Sequence, residues 1–307
     1  MSTFPDPRRR PWRTILFCPG SRPDRFGKAL AAGADAVCLD LEDGVAPARR
    51  DEARQAVAAW LRERDPGETG PELVLRVNAP GSPDGELDLA LIRSLPRPRR
   101  PRALMVPKVD GPEALLVLFA VLGVQEGGEV GGDGDGHEGE EGPGGPWLLP
   151  LVETALGLHR VEALALAGLP LAGLVFGGMD LAAELGARFE WEPLLFARSR
   201  IVHAAALAGV GAIDVPWAPL DDPEGLTSET TRAARMGFQG KLAIHPAQVP
   251  VIHAALAPAP AEIEAARRIL RAAAASAEGV QVVDGRMVDR PLVLGAERVL
   301  ARAGEAP

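Results

Sequence analysis

The sequence contains no tyrosine, only two cysteines and only three lysines among its 307 residues. The lack of tyrosine excludes any acid–base mechanism that depends on a phenol. The two cysteines, Cys18 and Cys38, lie in apolar, strand-like runs, where a free cysteine behaves as a small buried hydrophobe. We therefore expect unpaired thiols and a reduced, cytoplasmic location.

Long apolar runs are also missing, since none approaches the ~18 residues that a membrane helix needs. The first residues, MSTFPDPRRRPWR, are basic but lack the apolar segment of a secretory signal. We expect residues 1–12 to form a short disordered arm, and we expect no membrane partner.

Basic residues are fewer than acidic ones, 33 against 42, so the net charge is −9. This balance argues against a nucleic-acid partner. Seven of the acids lie in residues 125–146, which contain no lysine or arginine. That glycine-rich, low-complexity stretch cannot form a core and predicts a disordered surface insertion. Without it the net charge is −2, so the acidity says little about partners.

Short apolar runs alternate with longer helical patterns along most of the chain. Eight strand–helix repeats predict a (β/α)₈ TIM barrel over residues 13–258. The alternative is an open, doubly wound sheet, but no G-x-G-x-x-G fingerprint follows the first strand. The eight runs are RTILFC (13–18), DAVCLDL (35–41), ELVLRV (72–77), ALMVPK (103–108), WLLPLVE (147–153), LAGLVFG (171–177), GAIDV (211–215) and GKLAIH (240–245).

Residues 259–307 follow the eighth repeat and are extra to the barrel. A helix over 261–275, a short apolar run over 280–285 and a final helix starting near Pro291 predict a helical C-terminal extension. We expect this extension to act as a lid that folds over the site or reaches a neighbouring subunit.

Polar residues stand at or just after the ends of most of the eight runs. In barrels of this kind, catalytic groups collect at the carboxyl ends of the strands. One polar residue there could be a solvated loop start, but seven such ends among eight predict a shared polar pocket. The residues are Asp40, Glu42, Asp43, Arg76, Asn78, Lys108, Glu153, Asp180, Asp214 and His245.

Two of these carboxylates, Glu153 and Asp180, follow adjacent strands and could hold Mg²⁺, which takes one or two carboxylates together with water and substrate oxygens. No Cys/His cluster indicates zinc. Arg76 offers a planar fork for a carboxylate or carbonyl oxygen. A divalent ion and an arginine together stabilise an enolate or a 2-oxo acid, which favours carbon–carbon chemistry next to a carbonyl.

Lys108 carries the competing enzyme hypothesis, a Schiff-base aldolase, which would need a lysine of lowered pKa. Most of the other residues at the strand ends are acids, and nearby acids raise the pKa of a lysine. We therefore favour the interpretation that Lys108 is a charge partner for Asp40, Glu42 or Glu153.

A series of motifs resembles the citrate lyase β-subunit-like branch of the HpcH/HpaI aldolase/citrate lyase family. The resemblance covers residues 13–302 apart from the acidic insertion. The motifs, in the family's order, are LFCPGSRPDRFGKALAAGADAVCLDLEDGVAPARRDEAR, LRVN, PKV, PLVETALGL, FGGMDLAAELG, KLAIHPAQV and VDGRMVDRP.

The resemblance implies a Mg²⁺-dependent barrel enzyme that acts on acyl-CoA thioesters and 2-oxo acids as a homotrimer or hexamer. It implies that Glu153 and Asp180 are the metal ligands and that Arg76 binds the oxo acid and stabilises the enolate. The amides of Gly178 and Met179 would then lie near the substrate carboxylate, where the two glycines of FGGMD let the backbone approach a ligand closely.

Further residues carried over by motif are Asp289, Arg22, Arg25 and Lys28. The resemblance implies that Asp289 lies on a C-terminal lid, reaches a neighbouring subunit's site and acts there as acid–base. It implies that Arg22, Arg25 and Lys28 face the phosphates of CoA; the less favoured alternative for the two arginines is a solvated helix start.

The expected reaction is the reversible cleavage of a citramalyl-, malyl- or citryl-CoA type 3-hydroxyacyl-CoA into acetyl-CoA and a 2-oxo acid. Two alternatives stay open. The chain could be a citrate lyase β-subunit that acts only with an acyl-carrier partner, or a variant that hydrolyses the thioester, as a malate synthase or thioesterase does.

Overall fold

The computed structural model describes residues 12–65, 67–122, 145–275, 281–283 and 285–305. The predicted arm lies outside the described residues except for Trp12, and the predicted insertion lies outside them except for residues 145–146. Both predictions therefore stay predictions.

Eight parallel strands close into a barrel in chain order, with the eighth strand beside the first. Each strand lies inside a predicted apolar run, except that β1 extends one residue beyond its run. The predicted (β/α)₈ barrel is therefore confirmed and the open sheet is wrong. The strands are β1 (Thr14–Pro19), β2 (Ala36–Asp40), β3 (Glu72–Arg76), β4 (Ala103–Val106), β5 (Trp147–Val152), β6 (Gly173–Phe176), β7 (Gly211–Asp214) and β8 (Gly240–Ala243).

One apolar cluster fills the barrel and takes at least one buried side chain from every strand. Because side chains alternate between the two faces of a strand, these residues define which positions point inward. They include Ile15, Cys38, Val74, Met105, Leu149, Leu151, Val175, Ile213 and Leu242. Cys18 and Cys38 are both free and buried, as the sequence predicts.

Helices connect the strands, and several begin at side chains that cap them. Ser82 accepts a hydrogen bond from the Gly85 N–H (3.0 Å), and Asp222 accepts one from the Gly225 N–H (2.8 Å). Each cap satisfies a donor that has no partner inside the helix. The helices are α1 (Phe26–Leu30), α2 (Arg50–Glu63), α3 (Pro83–Ser94), α4 (Pro112–Leu122), α5 (Ala155–His159), α6 (Val161–Ala165), α7 (Gly178–Leu185), α8 (Leu195–Ala208), α9 (Pro223–Met236) and α10 (Gln248–Leu256).

The chain forms two compact units, residues 1–252 and 253–307. The second contains α11 (Pro260–Ala275), the antiparallel strands β9 (Gln281–Val283) and β10 (Arg286–Val288), and α12 (Arg290–Ala303). Its own small core consists of Ala266, Ala296 and Leu300. The predicted boundary after residue 258 and the predicted lid role stay predictions. None of the described helices is both long and apolar enough to cross a bilayer.

Candidate active site

A continuous series of contacts joins polar side chains at the carboxyl ends of β2, β3, β4 and β5. Arg76 contacts Asp40 and Glu42, Glu42 contacts Lys108, and the backbone of Lys108 contacts Glu153. Asp40, Arg76 and Glu153 each stand two residues beyond an inward-facing core residue of the same strand or its end. The period of two therefore places them above the core, at the mouth of the barrel.

Asp40 holds the guanidinium of Arg76 in a two-pronged pair. Nε donates to Oδ1 (2.7 Å) and Nη2 donates to Oδ2 (2.6 Å). The same buried carboxylate accepts the backbone N–H groups of Glu42 and Gly44 (2.9 and 2.8 Å), and the guanidinium lies 4.7 Å from the centre of the Phe17 ring. Arg76 is thus fixed before any ligand arrives.

This pairing changes how Arg76 could meet a substrate. The fork that the sequence suggested for a substrate carboxylate is already used by Asp40. The third nitrogen, Nη1, lies 3.0 Å from Glu42 Oε2 and 3.9 Å from Asp43 Oδ2. Arg76 could therefore reach a substrate oxygen only with the N–H groups that do not donate to Asp40.

Glu153 directly follows β5 and is 3 % exposed. Its Oε1 accepts the backbone N–H of Lys108 at 2.7 Å. On the other side lies Gly177, where a Cβ would come within 2.3 Å of Glu153 Cβ and 2.6 Å of Oε2. Only glycine fits there, because any side chain would displace the carboxylate.

Burial raises the pKa of Glu153 to about 8, with the negative charges of Glu42 and Asp180 acting in the same direction and the Lys108 N–H opposing them. Burial likewise raises the pKa of Glu42 to about 7. Both shifts arise because carboxylates are crowded in a poorly solvated place.

Asp180 lies in the first turn of α7 and is exposed to solvent. It follows the buried Gly178, whose N–H begins the helix, and the half-exposed Met179. The first N–H groups of a helix have no partner within the helix, so those of Gly178 and Met179 are available to a ligand. The structure therefore brings Asp180, Gly178 and Met179 to the same rim as Glu153.

The donor set fits a hard divalent cation. Five carboxyl groups (Asp40, Glu42, Asp43, Glu153 and Asp180) interact with two cationic side chains, Arg76 and Lys108, among the residues that the structure describes. Among the described residues, no three His, Cys, Asp or Glu side chains form a cage that could hold a metal alone. Two carboxylates whose ion is completed by water and substrate suit Mg²⁺, whereas a structural zinc site requires a closed protein cage.

Lys108 does not meet the requirement of a Schiff-base nucleophile. Burial alone would lower the pKa of its ammonium, but the carboxylates of Glu42, Glu153 and Asp180 more than offset this and the pKa is raised. Its Nζ lies 3.7 Å from Glu42 Oε1. The predicted charge-partner role is confirmed, and a raised pKa disfavours the amine as a nucleophile.

Asp214 does not belong to this site, so its inclusion in the shared pocket was wrong. It follows the inward-facing Ile213 and therefore points to the outer side of the barrel. There it accepts Arg198 Nε (3.0 Å) and Lys241 Nζ (2.8 Å), and Lys241 also reaches Glu229 (2.7 Å). The group joins β7 and β8 to α8 and α9.

Asn78 also has a structural role instead of the predicted pocket position. Its amide donates to the Leu41 carbonyl (2.9 Å) and to Asp88 (2.8 Å), and Arg54 donates to the same Asp88 carboxylate (3.0 Å). These bonds fix the loop that carries Glu42. Asp88 is not among the predicted site residues, although an acid on the buried face of an amphipathic helix such as α3 is a recognisable signal.

The predicted CoA-binding residues follow β1 at the same end of the barrel. Arg25 and Lys28 are exposed, and Arg22 is partly exposed. Arg22 donates two hydrogen bonds to Asp24 (2.8 and 2.7 Å). This surface pair is weak enough for an anionic ligand to displace it.

The predicted catalytic Asp289 stands at the start of the last helix. Its Oδ1 accepts the N–H of Leu292 at 3.0 Å, which makes it the N-cap of α12. Its carboxylate is exposed in the second unit of the chain.

Comparison with known proteins gives consistent matches. Residues 13–246 match the family described as HpcH/HpaI aldolase/citrate lyase, and residues 198–305 match a family of C–C bond lyases of the TIM-barrel fold. The chain is 32% identical to mouse mitochondrial citramalyl-CoA lyase over 306 residues, covering 95% of this chain and 86% of the relative. It is 34% identical to the citrate lyase subunit beta of Escherichia coli, covering 96% and 94%.

A solved structure is similar over almost the whole chain. It is the protein CitE of Mycobacterium tuberculosis in complex with magnesium, acetoacetate and coenzyme A. The sequences are 34% identical, the TM-score is 0.76, and the match covers 97% of this chain and all of the other.

Proposed function

Because the chain belongs to the HpcH/HpaI aldolase/citrate lyase family and is a Mg²⁺-dependent acyl-CoA lyase, we propose that it cleaves a 3-hydroxyacyl-CoA of the citramalyl-CoA type into acetyl-CoA and pyruvate. The observation that carries the proposal is the pair Glu153 and Asp180 beside a fixed Arg76 at the barrel mouth. The magnesium, acetoacetate and coenzyme A bound to the similar CitE support it.

Glu153 and Asp180 would hold the metal. A Mg²⁺ ion bound there would polarise the oxygens of the 2-oxo acid and offset the excess of carboxylates. The backbone N–H groups of Gly178 and Met179 would donate to the substrate carboxylate. Because Asp40 fixes its fork, Arg76 would donate its remaining N–H groups to the same oxo acid without a loss of side-chain freedom on binding.

The cleavage breaks the bond between C2 and C3 of the hydroxyacyl chain. The hydroxyl loses its proton to water and becomes the carbonyl of pyruvate, and the electron pair of the broken bond passes to the acetyl group as an enolate. Asp289, protonated by the water that took up the hydroxyl proton, then supplies a proton to that carbon, which gives acetyl-CoA, and it removes the same proton in the reverse direction. Arg22, Arg25 and Lys28 would hold the CoA phosphates.

The assembly and location are parts of the same proposal. We place the enzyme in the cytoplasm as a homotrimer or hexamer in which Asp289 serves a neighbouring site. In that arrangement each site is complete only between two chains.

The second candidate is a citrate lyase β-subunit that requires an acyl-carrier partner. It is supported by the similarity to the E. coli subunit, which matches nearly its full length. Such a subunit would bind Mg²⁺ but would not turn over free CoA thioesters.

The decisive experiment supplies the purified chain with citramalyl-CoA and Mg²⁺ and follows pyruvate and free thiol. Pyruvate that appears with Mg²⁺ and stops with EDTA is the expected result. An equal release of free thiol would indicate hydrolysis of the thioester. No pyruvate from a chain that still binds Mg²⁺ would contradict the proposal and favour the carrier-dependent subunit.

A further inference from the structure

Lys108 has an unusual backbone for a residue with a side chain. Among the described residues it is the one non-glycine position with positive φ, at 51°. Non-glycine residues avoid this left-handed region because their Cβ crowds the backbone. Such strain persists only where the surroundings impose it, and it clusters at functional sites.

The surroundings of Lys108 come from the next strand and loop. Its backbone N–H donates to Glu153 Oε1 at 2.7 Å. Two residues later, Asp110 accepts the hydroxyl of Thr154 at 2.6 Å, and the intervening Val109 is buried. The loop after β4 is therefore fixed to the loop after β5 on both sides of Val109, and the left-handed turn directs the Lys108 N–H at the carboxylate.

Gly177 restricts the position of the Glu153 side chain from the opposite side. Because a Cβ there would overlap Glu153 Cβ and Oε2, the carboxylate lies between the Lys108 N–H at one oxygen and Gly177 near the other. A hydrogen-bonded outer contact of this type orients a metal ligand and tunes its affinity.

We propose that Lys108 is a positioning residue whose left-handed backbone, and not its ammonium group, orients Glu153 and so sets the Mg²⁺ affinity of the site. The inference rests on the proposed metal role of Glu153.

The two parts of Lys108 can be separated by substitution. The ammonium is half exposed and 3.7 Å from Glu42, a distance at which an exposed pair contributes little. Glycine and asparagine remove the amine but tolerate positive φ, whereas valine removes the amine and strongly resists it. Lys108→Asn and Lys108→Val are therefore a matched pair.

The test is calorimetric titration of the full-length chain with MgCl₂ for the wild type, Lys108→Gly, Lys108→Asn and Lys108→Val. We expect the Gly and Asn variants to stay within about threefold of the wild-type Kd, and the Val variant to bind about tenfold more weakly, equivalent to ~1.4 kcal/mol. Circular dichroism confirms that each variant is folded. If the Val variant does not fold, Lys108→Thr, which is also β-branched, replaces it and should likewise bind Mg²⁺ more weakly than Asn.

Three outcomes would overturn the inference. Equal weakening in Asn, Gly and Val would assign the role to the ammonium. Wild-type affinity in Val, or in Thr where Val does not fold, would show that the backbone does not matter. A wild-type chain that binds no Mg²⁺ would overturn the proposed metal site itself, and the inference with it.

Discussion

At the scale of single residues, the end of the strand at which a buried carboxyl group lies decides whether that group can take part in the candidate active site. Glu153 follows the carboxyl end of β5, where it meets Lys108, Gly177 and Asp180. Glu72 begins β3 at the opposite end of the barrel and is also buried. Burial raises the pKa of this carboxyl group, so its ionisation in the folded chain is unfavourable.

The prediction for Glu72 concerns pH. Burial raises its pKa to about 7, against the charges of Arg102 and Arg64. The folded chain thus binds this proton more tightly than the unfolded chain, whose carboxyl titrates near 4.5. Stability falls as pH rises between these values, because burying the ionised form is unfavourable. Glu72→Gln should therefore be more stable than the wild type at pH 8, by about 2 kcal/mol.

Thermal unfolding at pH 5 and pH 8 checks this expectation. The variant should melt several degrees above the wild type at pH 8, with a much smaller difference at pH 5. Glu63→Gln, an exposed glutamate on α2, serves as the control and should show no such trend. An increase in melting temperature for Glu72→Gln that is equal at pH 5 and pH 8 would contradict the burial argument.

Asp180→Asn is expected to abolish Mg²⁺-dependent turnover without unfolding the chain. The side chain is exposed in the first turn of α7, so its loss removes little packing. An amide is a poor substitute for a carboxylate at Mg²⁺. Turnover is measured with saturating Mg²⁺, and melting temperature is measured alongside. Unchanged turnover would contradict the metal assignment.

The sequence located the site residues only where strand ends carry a clear chemical signal. Glu153, Arg76 and Asp40 stand out because charged groups at the end of an apolar strand need a reason. Asp214 looked equivalent, but it is one residue beyond Ile213 and so faces the helices. Strands of a parallel barrel are apolar on both faces, which hides the inward and outward positions in a single sequence.

At the scale of elements, polar side chains also join strands to helices. The buried group of Asp214, Lys241, Arg198 and Glu229 connects β7 and β8 to α8 and α9. Arg198 also lies over the Trp191 ring at 4.4 Å. Burying these charges is tolerable only because each has a partner. No local pattern predicts the group, because its members are up to 43 residues apart in the chain.

The last helix gives the element-scale prediction, because Asp289 combines a structural contact with a proposed chemical role. Its carboxylate caps α12 through Leu292. Asparagine caps a helix as well as aspartate does, whereas alanine costs about 1 kcal/mol. Asp289→Asn should therefore keep the melting temperature and the Mg²⁺ affinity while losing turnover about 100-fold or more.

Asp289→Ala separates the two roles. It should lose turnover to the same extent and also lower the stability of the chain. If Asn retained wild-type turnover while Ala lost it, the aspartate would act only as a cap. Turnover is followed by pyruvate release and stability by thermal unfolding.

At the scale of the whole molecule, the eight repeats made the barrel predictable, but the C-terminal unit was predictable only as a set of helices. Eight strands and their interior cluster follow from local apolar runs. Residues 253–307 have their own small core. The proposed action of this extension on a neighbouring chain would depend on contacts between chains, and a single sequence carries no pattern for them.

The proposed exchange of Asp289 between chains predicts complementation between two inactive variants. An Asp180→Asn chain lacks a metal ligand but can lend Asp289 to its neighbour, and an Asp289→Asn chain keeps its metal site but needs the neighbour's acid. In a closed ring with one donor for each site, an equal random mixture completes about a quarter of the sites. Co-expressed variants should thus recover about a quarter of wild-type turnover, although each alone is inactive. Wild-type chains co-expressed with the double variant give the control, because they too complete about a quarter. Turnover no greater than the sum of the two single variants would mean that each site is complete within one chain, since no exchange between chains could then restore it.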